Sequence, residues 1–184
     1  MACNALRMHP LRRRLPLVLA IVCATTLFAC GEEASDKQVE TLSGAGFTVQ
    51  MPGKPERSNQ TVQTAAGPIV VTAYITEGGE EGFSMSVAKI PSGVKGDLDG
   101  AVEGAATNVK GTPKDTIKTT HQGFPARDTR IINAQDPDGN KGTVFARVIL
   151  AKGTLFQLQY VTEGGDVKSP PSAYPTFLKS LKIS

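Results

Sequence analysis

Residues 142–162, GTVFARVILAKGTLFQLQYVT, carry the pattern that decides the fold. Gly142 to Leu150 and Thr154 to Thr162 read as two strands joined as a hairpin around Lys152-Gly153. Successive side chains of a strand point to opposite faces. In the first strand Phe145 and Ile149 occupy one face, and Val144, Val148 and Leu150 the other. Bulky apolar groups on both faces predict a sheet that is covered on both sides.

Working outward, Asp136-Pro137-Asp138-Gly139-Asn140-Lys141-Gly142 reads as a turn, preceded by strands over Phe124 to Ala134 and Thr116 to His121. Further upstream the period changes. Leu98, Val102, Ala105 or Ala106, and Val109 recur at helical spacing between Asp97 and Lys110, with Asp97 as N-cap and Gly111 and Pro113 as the stop. Gly100 and Gly104 weaken this helix in isolation, so packing must hold it. Earlier still, strands are expected over Phe47 to Met51, Gln60 to Ala66, Pro68 to Thr76 and Phe83 to Val87. Ile69, Val71, Ala73 and Ile75 share one face of the third of these. After the hairpin, Ser172 to Lys182 reads as a closing helix with Tyr174, Phe177, Leu178 and Leu181 on its apolar side; Pro175 is tolerable in the first turn. Strands, helix, strands, helix predict an α+β domain over 47–184, a mostly antiparallel sheet flanked by helices. About 140 residues suffice to bury a single core.

The first 29 residues have the layout of a secretory signal. Arg7, Arg12, Arg13 and Arg14 precede an apolar run from Leu15 to Phe28, and Met8 is an alternative start to Met1. Fourteen helical residues would reach roughly 21 Å, short of the ~30 Å hydrocarbon core, and Pro16 shortens the helix further. The run Leu27-Phe28-Ala29-Cys30 resembles the lipobox of bacterial lipoproteins, although Phe28 is bulkier than usual at its position. The resemblance implies cleavage before Cys30 and lipid on its sulfur. A secreted form without lipid and a retained anchor are the alternatives. Residues 31–46, GEEASDKQVETLSGAG, are polar and small, the composition of a flexible tether.

Removing the signal changes the charge. The chain has 20 basic and 17 acidic residues, but four of the basic ones lie in the signal, which leaves 16 against 17. No basic field remains that would suit nucleic acid. Cys3 and Cys23 leave with the signal and Cys30 would carry lipid, so no thiol is left for a disulfide or a metal.

The motifs GFTVQMPGKPER (46–57), GFPARDTR (123–130), FARVILAKGTLFQLQYV (145–161) and FLKSLK (177–182) together resemble the Mog/PsbP-like α/β/α sandwich proteins, especially bacterial secreted or lipid-anchored relatives of uncharacterised role. The resemblance spans roughly 46–183 and implies fold. Members of that fold act as protein-binding adaptors, among them a small-GTPase binder and an extrinsic subunit of a photosynthetic complex. The fold has no shared active site, so no functional residue is carried over.

Candidate chemistry is sparse. Asp136, Asp138 and Asn140 imitate the start of a calcium loop, but Lys141 stands where its glycine belongs and Arg147 where its bidentate glutamate belongs; a plain turn selects the same residues. His121 is the one histidine after the signal, too few for a zinc set, and no Gly-x-Ser-x-Gly elbow accompanies Ser84 or Ser86. Glu77, Glu80 and Glu81 read as a solvated loop. Arg127 and Arg130 fall on alternate strand faces, and Asp128 could pair with either; the functional reading is a polar rim for a partner or an anionic ligand, the plain one surface ion pairs. The expectation is a non-catalytic envelope lipoprotein without cofactor or metal. It would be held at the membrane by Cys30, on the periplasmic side of the outer membrane in a Gram-negative host, and would bind another envelope protein. A small-ligand or lipid carrier is the alternative, and an unrecognised hydrolase using His121 or Asp128 ranks behind both.

Overall fold

The computed structural model describes residues 39–64, 67–78 and 81–184. In chain order the elements are β1 (Val39–Gly44), β2 (Phe47–Pro52), β3 (Glu56–Thr64), β4 (Gly67–Gly78), β5 (Glu81–Lys89), α1 (Leu98–Asn108), β6 (Thr112–His121), β7 (Phe124–Gln135), β8 (Lys141–Ala151), β9 (Thr154–Glu163), α2 (Ala173–Ser180) and β10 (Lys182–Ile183). The hairpin of residues 142–162 is formed as expected. Its turn residues Lys152 and Gly153 both have positive φ, 49° and 71°, the combination whose twist matches that of the flanking strands. The other side of β9 pairs with β5, giving a seven-stranded sheet in the order β3-β4-β5-β9-β8-β7-β6, antiparallel throughout. The chain leaves β5, crosses one face as α1, and re-enters at the far edge as β6.

Both faces of β8 are covered. On one side Phe145 and Ile149 join Met85, Phe156, Leu158 and Tyr160 in the main core, which β2 and α2 close through Phe47, Val49, Met51, Tyr174, Phe177 and Leu178. Rings mesh edge-on here: Phe83 meets Phe177 with centroids 5.4 Å apart, and Phe47 meets Phe156 at 5.8 Å. Burying one such side chain contributes roughly 1.5–3 kcal/mol, so this layer dominates the stability. On the other side α1 sets Leu98 and Val102 on Val148, and Ala105 and Ala106 on Ile131, Val144 and Ala146.

The ends of α1 follow from side-chain chemistry. Asp97 caps the start, its Oδ1 accepting from the amides of Asp99 and Gly100, each at 3.0 Å. At the other end the residue with positive φ is Lys110 (50°) rather than Gly111. Amides of Lys110 and Gly111 reach back to the carbonyls of Thr107 and Ala106, a Schellman stop. Gly111 is required for a different reason: a Cβ there would lie 2.5 Å from Ile131 Cγ2.

Two features depart from the sequence reading. The stretch expected to be a tether up to Gly46 already contains β1, whose residues 39–44 pair antiparallel with β2; Leu42 packs against the core and the backbone ladder orders an otherwise polar segment. The closing helix ends at Ser180, and Leu181 is extended, so that Lys182 and Ile183 form β10 against the opposite edge of β2. A separate three-stranded sheet, β1-β2-β10, results. Ile69, Val71, Ala73 and Ile75 share a face of β4 as the alternation requires, and the core takes the alternate set: Tyr74 and Thr76 are buried while Ile75 is 41% exposed.

Candidate functional site

The polar motif of β7 does not form one rim. Arg127 and Asp128 point to opposite faces of the strand, and each of the three charges is claimed by a different partner. Arg127 Nε and Nη2 donate to Asp99 in the first turn of α1, at 2.6 and 3.2 Å. Arg130 donates to Asp115 on β6 at 2.7 Å and also to Asp166, whose other carboxylate oxygen takes Lys168. Asp128 pairs with neither arginine of its own strand, contrary to the sequence reading. It lies opposite Arg147 of β8 in the sheet register, and a strand can offer only across its ladder what its own alternation turns away. Side chains of Arg127 and Arg130 are only 13% and 12% exposed, so both guanidinia are largely committed within the domain. Hydrogen bonding to Asp99 and Asp115, respectively, raises the Arg127 and Arg130 pKa values further.

Beside the Asp128–Arg147 pair lies the one histidine of the described residues. His121 ends β6 and is buried, its Nε2 3.2 Å from the carbonyl of Leu181. Gln122 completes the clamp: Nε2 donates to the same carbonyl at 2.7 Å and Oε1 accepts from the amide of Ile183 at 3.1 Å. Burial lowers the His121 pKa, partly offset by the Leu181 hydrogen bond, so the ring is neutral near pH 7. Burial likewise pushes the Tyr174 phenol upward. The histidine faces a main-chain carbonyl rather than a hydroxyl, and what this corner does is hold the C-terminal strand in place.

The acidic turn is explained by its own hydrogen bonds. Asp136 Oδ1 accepts the Asn140 amide at 2.8 Å, and Oδ2 accepts Asn140 Nδ2 at 2.9 Å. The Asn140 side chain is the main reason that the Asp136 pKa is lowered. Gly139 takes φ +86°, and its amide closes the turn on the Asp136 carbonyl. Of the acidic loop, Glu80 and the Glu77 side chain lie outside the described residues, as does Cys30.

The feature that the sequence reading missed is on the helix side of the large sheet. α1 covers β7 and β8 and then stops. Beyond its end Ile75, Gly82, Val144 and Val161 floor a groove of about 430 Å³, walled by Val109, Ala134 and the turn from Asp136 to Gly142. Gly82 stands opposite Val161 in the β5–β9 register, so the floor is lowest beside that valine. Val161 and Ile75 are 38% and 41% exposed. Among the described residues, Glu81, Asp136 and Glu163 rim the groove against a single ammonium, Lys141. Further along the same face Ser84 Oγ donates to Gln159 Oε1 at 3.0 Å, a polar pair on the side where β8 presents valines. One sequence signal could have found this: Gly82, Ser84, Ser86 and Ala88 alternate as small residues on one face of β5, which leaves nothing for a covering helix to grip.

No protein-family model matches the chain. No curated protein matches it either. Among solved structures it is similar to the solution structure of cyanobacterial PsbP (CyanoP) from Synechocystis sp. PCC 6803, at 13% identity and a TM-score of 0.53, over 86% of this chain and 99% of that one. At this identity the likeness speaks for architecture, and the architecture agrees with the antiparallel sheets and flanking helices described above. The domain has a PsbP-like fold.

Proposed function

We propose that this chain is a cell-envelope lipoprotein whose PsbP-like domain docks another envelope protein without catalysing a reaction. The observation that carries the docking reading is the half-covered sheet: α1 leaves an apolar floor around Ile75 and Val161 open beside it, inside an acidic rim. Exposed apolar surface bounded by charge is the usual composition of a protein contact. The anchoring half rests on the sequence, where Leu27-Phe28-Ala29-Cys30 resembles a lipobox. A diacylglyceryl cysteine brings at least two chains, enough for stable anchoring, whereas one myristoyl-like chain binds only marginally. Gly31 is not the aspartate that retains lipoproteins in the inner membrane of enteric bacteria, which favours the outer membrane in a Gram-negative host.

Two measurements on the full chain in its own cells test the reading. A photo-cross-linking side chain at position 161 is expected to capture one discrete protein, and the same probe at the exposed Lys118 of β6 is not. Capture of bulk lipoproteins alone at 161 counts against docking. Cys30→Ser is expected to release the protein from membranes and abolish lipid labelling; tight association of that variant sinks the anchor.

One observation favours a second reading, a small-ligand or lipid carrier. A groove of about 430 Å³ falls within the ~300–1,000 Å³ typical of small-molecule sites. Native mass spectrometry of the purified chain showing a discrete added mass that Val161→Lys eliminates would establish it.

A further inference from the structure

Among the described residues the seven-stranded sheet has two free edges, and they are built differently. At β6 the edge is guarded. Pro113 cannot donate to a new ladder, Lys114, Asp115 and Lys118 carry charge, and the register shifts between Lys114 and Ile117. Such devices keep a strand edge from pairing with another chain. At β3 they are confined to the start of the strand, where Glu56 and Arg57 carry charge. Its nine residues, ERSNQTVQT, pair with β4 without a register shift, all are exposed, and Ser58 to Thr64 contain no charge and no proline.

The outer end of β3 is also under-supported. β4 pairs with β5 only from Val71 to Gly78, so among the described residues Thr61–Gln63 and Pro68–Val70 continue as a ribbon of two strands with no third strand beside them. Val70 there is 58% exposed. A two-stranded ribbon in water is marginal, and a further strand along its free side is what makes such a ribbon stable.

We propose that the partner of this edge is β3 of a second copy of the chain, paired antiparallel about a two-fold axis at Gln60. The strand is self-complementary in that register. Gln60 falls opposite Gln60, Asn59 opposite Thr61, Ser58 opposite Val62, Arg57 opposite Gln63, and no two like charges face each other. An isologous contact of this kind closes at two copies, because each chain spends the unguarded edge of its seven-stranded sheet on the other. The two sheets become one continuous sheet, and the guarded β6 edges end it on both sides.

Charge at the axis tests this without disturbing the fold, since Gln60 is exposed on an edge strand. Sedimentation equilibrium of the full chain in detergent is expected to give twice the protein mass for wild type, and the single mass for Gln60→Lys and for Gln60→Glu. In each variant the symmetry sets like charges opposite one another. An equal mixture of the two variants is expected to recover the doubled mass, because only the mixed pair brings opposite charges together. A wild-type chain that stays at the single mass overturns the proposal. So does a dimer that survives both single variants, or a mixture that fails to recover the doubled mass.

Discussion

Asp128 and Arg147 stand opposite each other on β7 and β8, and the guanidinium meets the carboxylate through two parallel hydrogen bonds of 2.5 and 2.6 Å. The pair sits near the phenol of Tyr174, with side chains 19% (Arg147) and 30% (Asp128) exposed. It is therefore neither a surface ion pair nor a fully buried one. Replacing one member is expected to cost more than replacing both, because the survivor keeps its desolvation and loses its partner. Asp128→Ala should destabilise by about 2 kcal/mol, between the values for surface and buried pairs. Asp128→Leu with Arg147→Met should cost less. Thermal denaturation of the three proteins checks the order, and a double variant worse than the single one would contradict it.

His121 gives the fold a pH dependence. Burial lowers its pKa below the ordinary 6.5, so between the two values the unfolded chain takes up a proton that the folded chain refuses. Stability is fully present above the unfolded value and declines as pH falls through it toward the folded one. Urea midpoints measured from pH 8 to pH 5 should fall through this window in wild type and fall less steeply in His121→Gln. Parallel profiles for the two proteins would remove His121 from the account.

Two glycines in α1 should respond differently to the same change. At Gly104 an added Cβ meets nothing within 4 Å, so Gly104→Ala should gain about 0.5–1 kcal/mol from helix propensity. At Gly100 the Cβ would come 2.5 Å from Asp97 Oδ2, the carboxylate that caps the helix. Gly100→Ala must displace that cap, a loss of about 1 kcal/mol that offsets the same gain. Equal stabilisation by both substitutions would show that the cap contributes little.

The groove predicts a separation of stability from binding. Val161→Asp places a charge on the open floor without emptying the core, so the melting temperature should change little, in keeping with about 0.5 kcal/mol for surface substitutions. Capture of the partner from position 75, used as the cross-linking site in place of 161, should be lost. Unchanged capture would move the contact elsewhere.

The hairpin, both helices and the double-sided burial of β8 were legible because each is written in a local period. Leu98, Val102 and Ala105 repeat at the helical interval, and Phe145 and Ile149 alternate with Val144 and Val148 as a strand requires. β1 was not legible, since VETLSG has the composition of a linker and becomes a strand only where β2 offers its edge. Two residues of β10 are too few to show any period. For β4, alternation shows that Ile75 and Tyr74 lie on opposite faces; which of them faces the core depends on where Phe47, Phe83 and α2 settle.

By itself, then, the sequence determined the strands and helices that carry a local period, the near-neutral charge once the first 29 residues are set apart, and the resemblance of residues 27–30 to a lipobox. These depend on neighbours a few residues apart along the chain. The tertiary structure alone decided that Asp128 belongs to Arg147, 19 residues away, and Arg127 to Asp99, 28 away. It also decided that β5 pairs with β9 and that α1 stops short of Val161. Ladder register and helix placement are settled by competition among all the faces at once, and no local period encodes which distant charge or groove will lie beside a given residue.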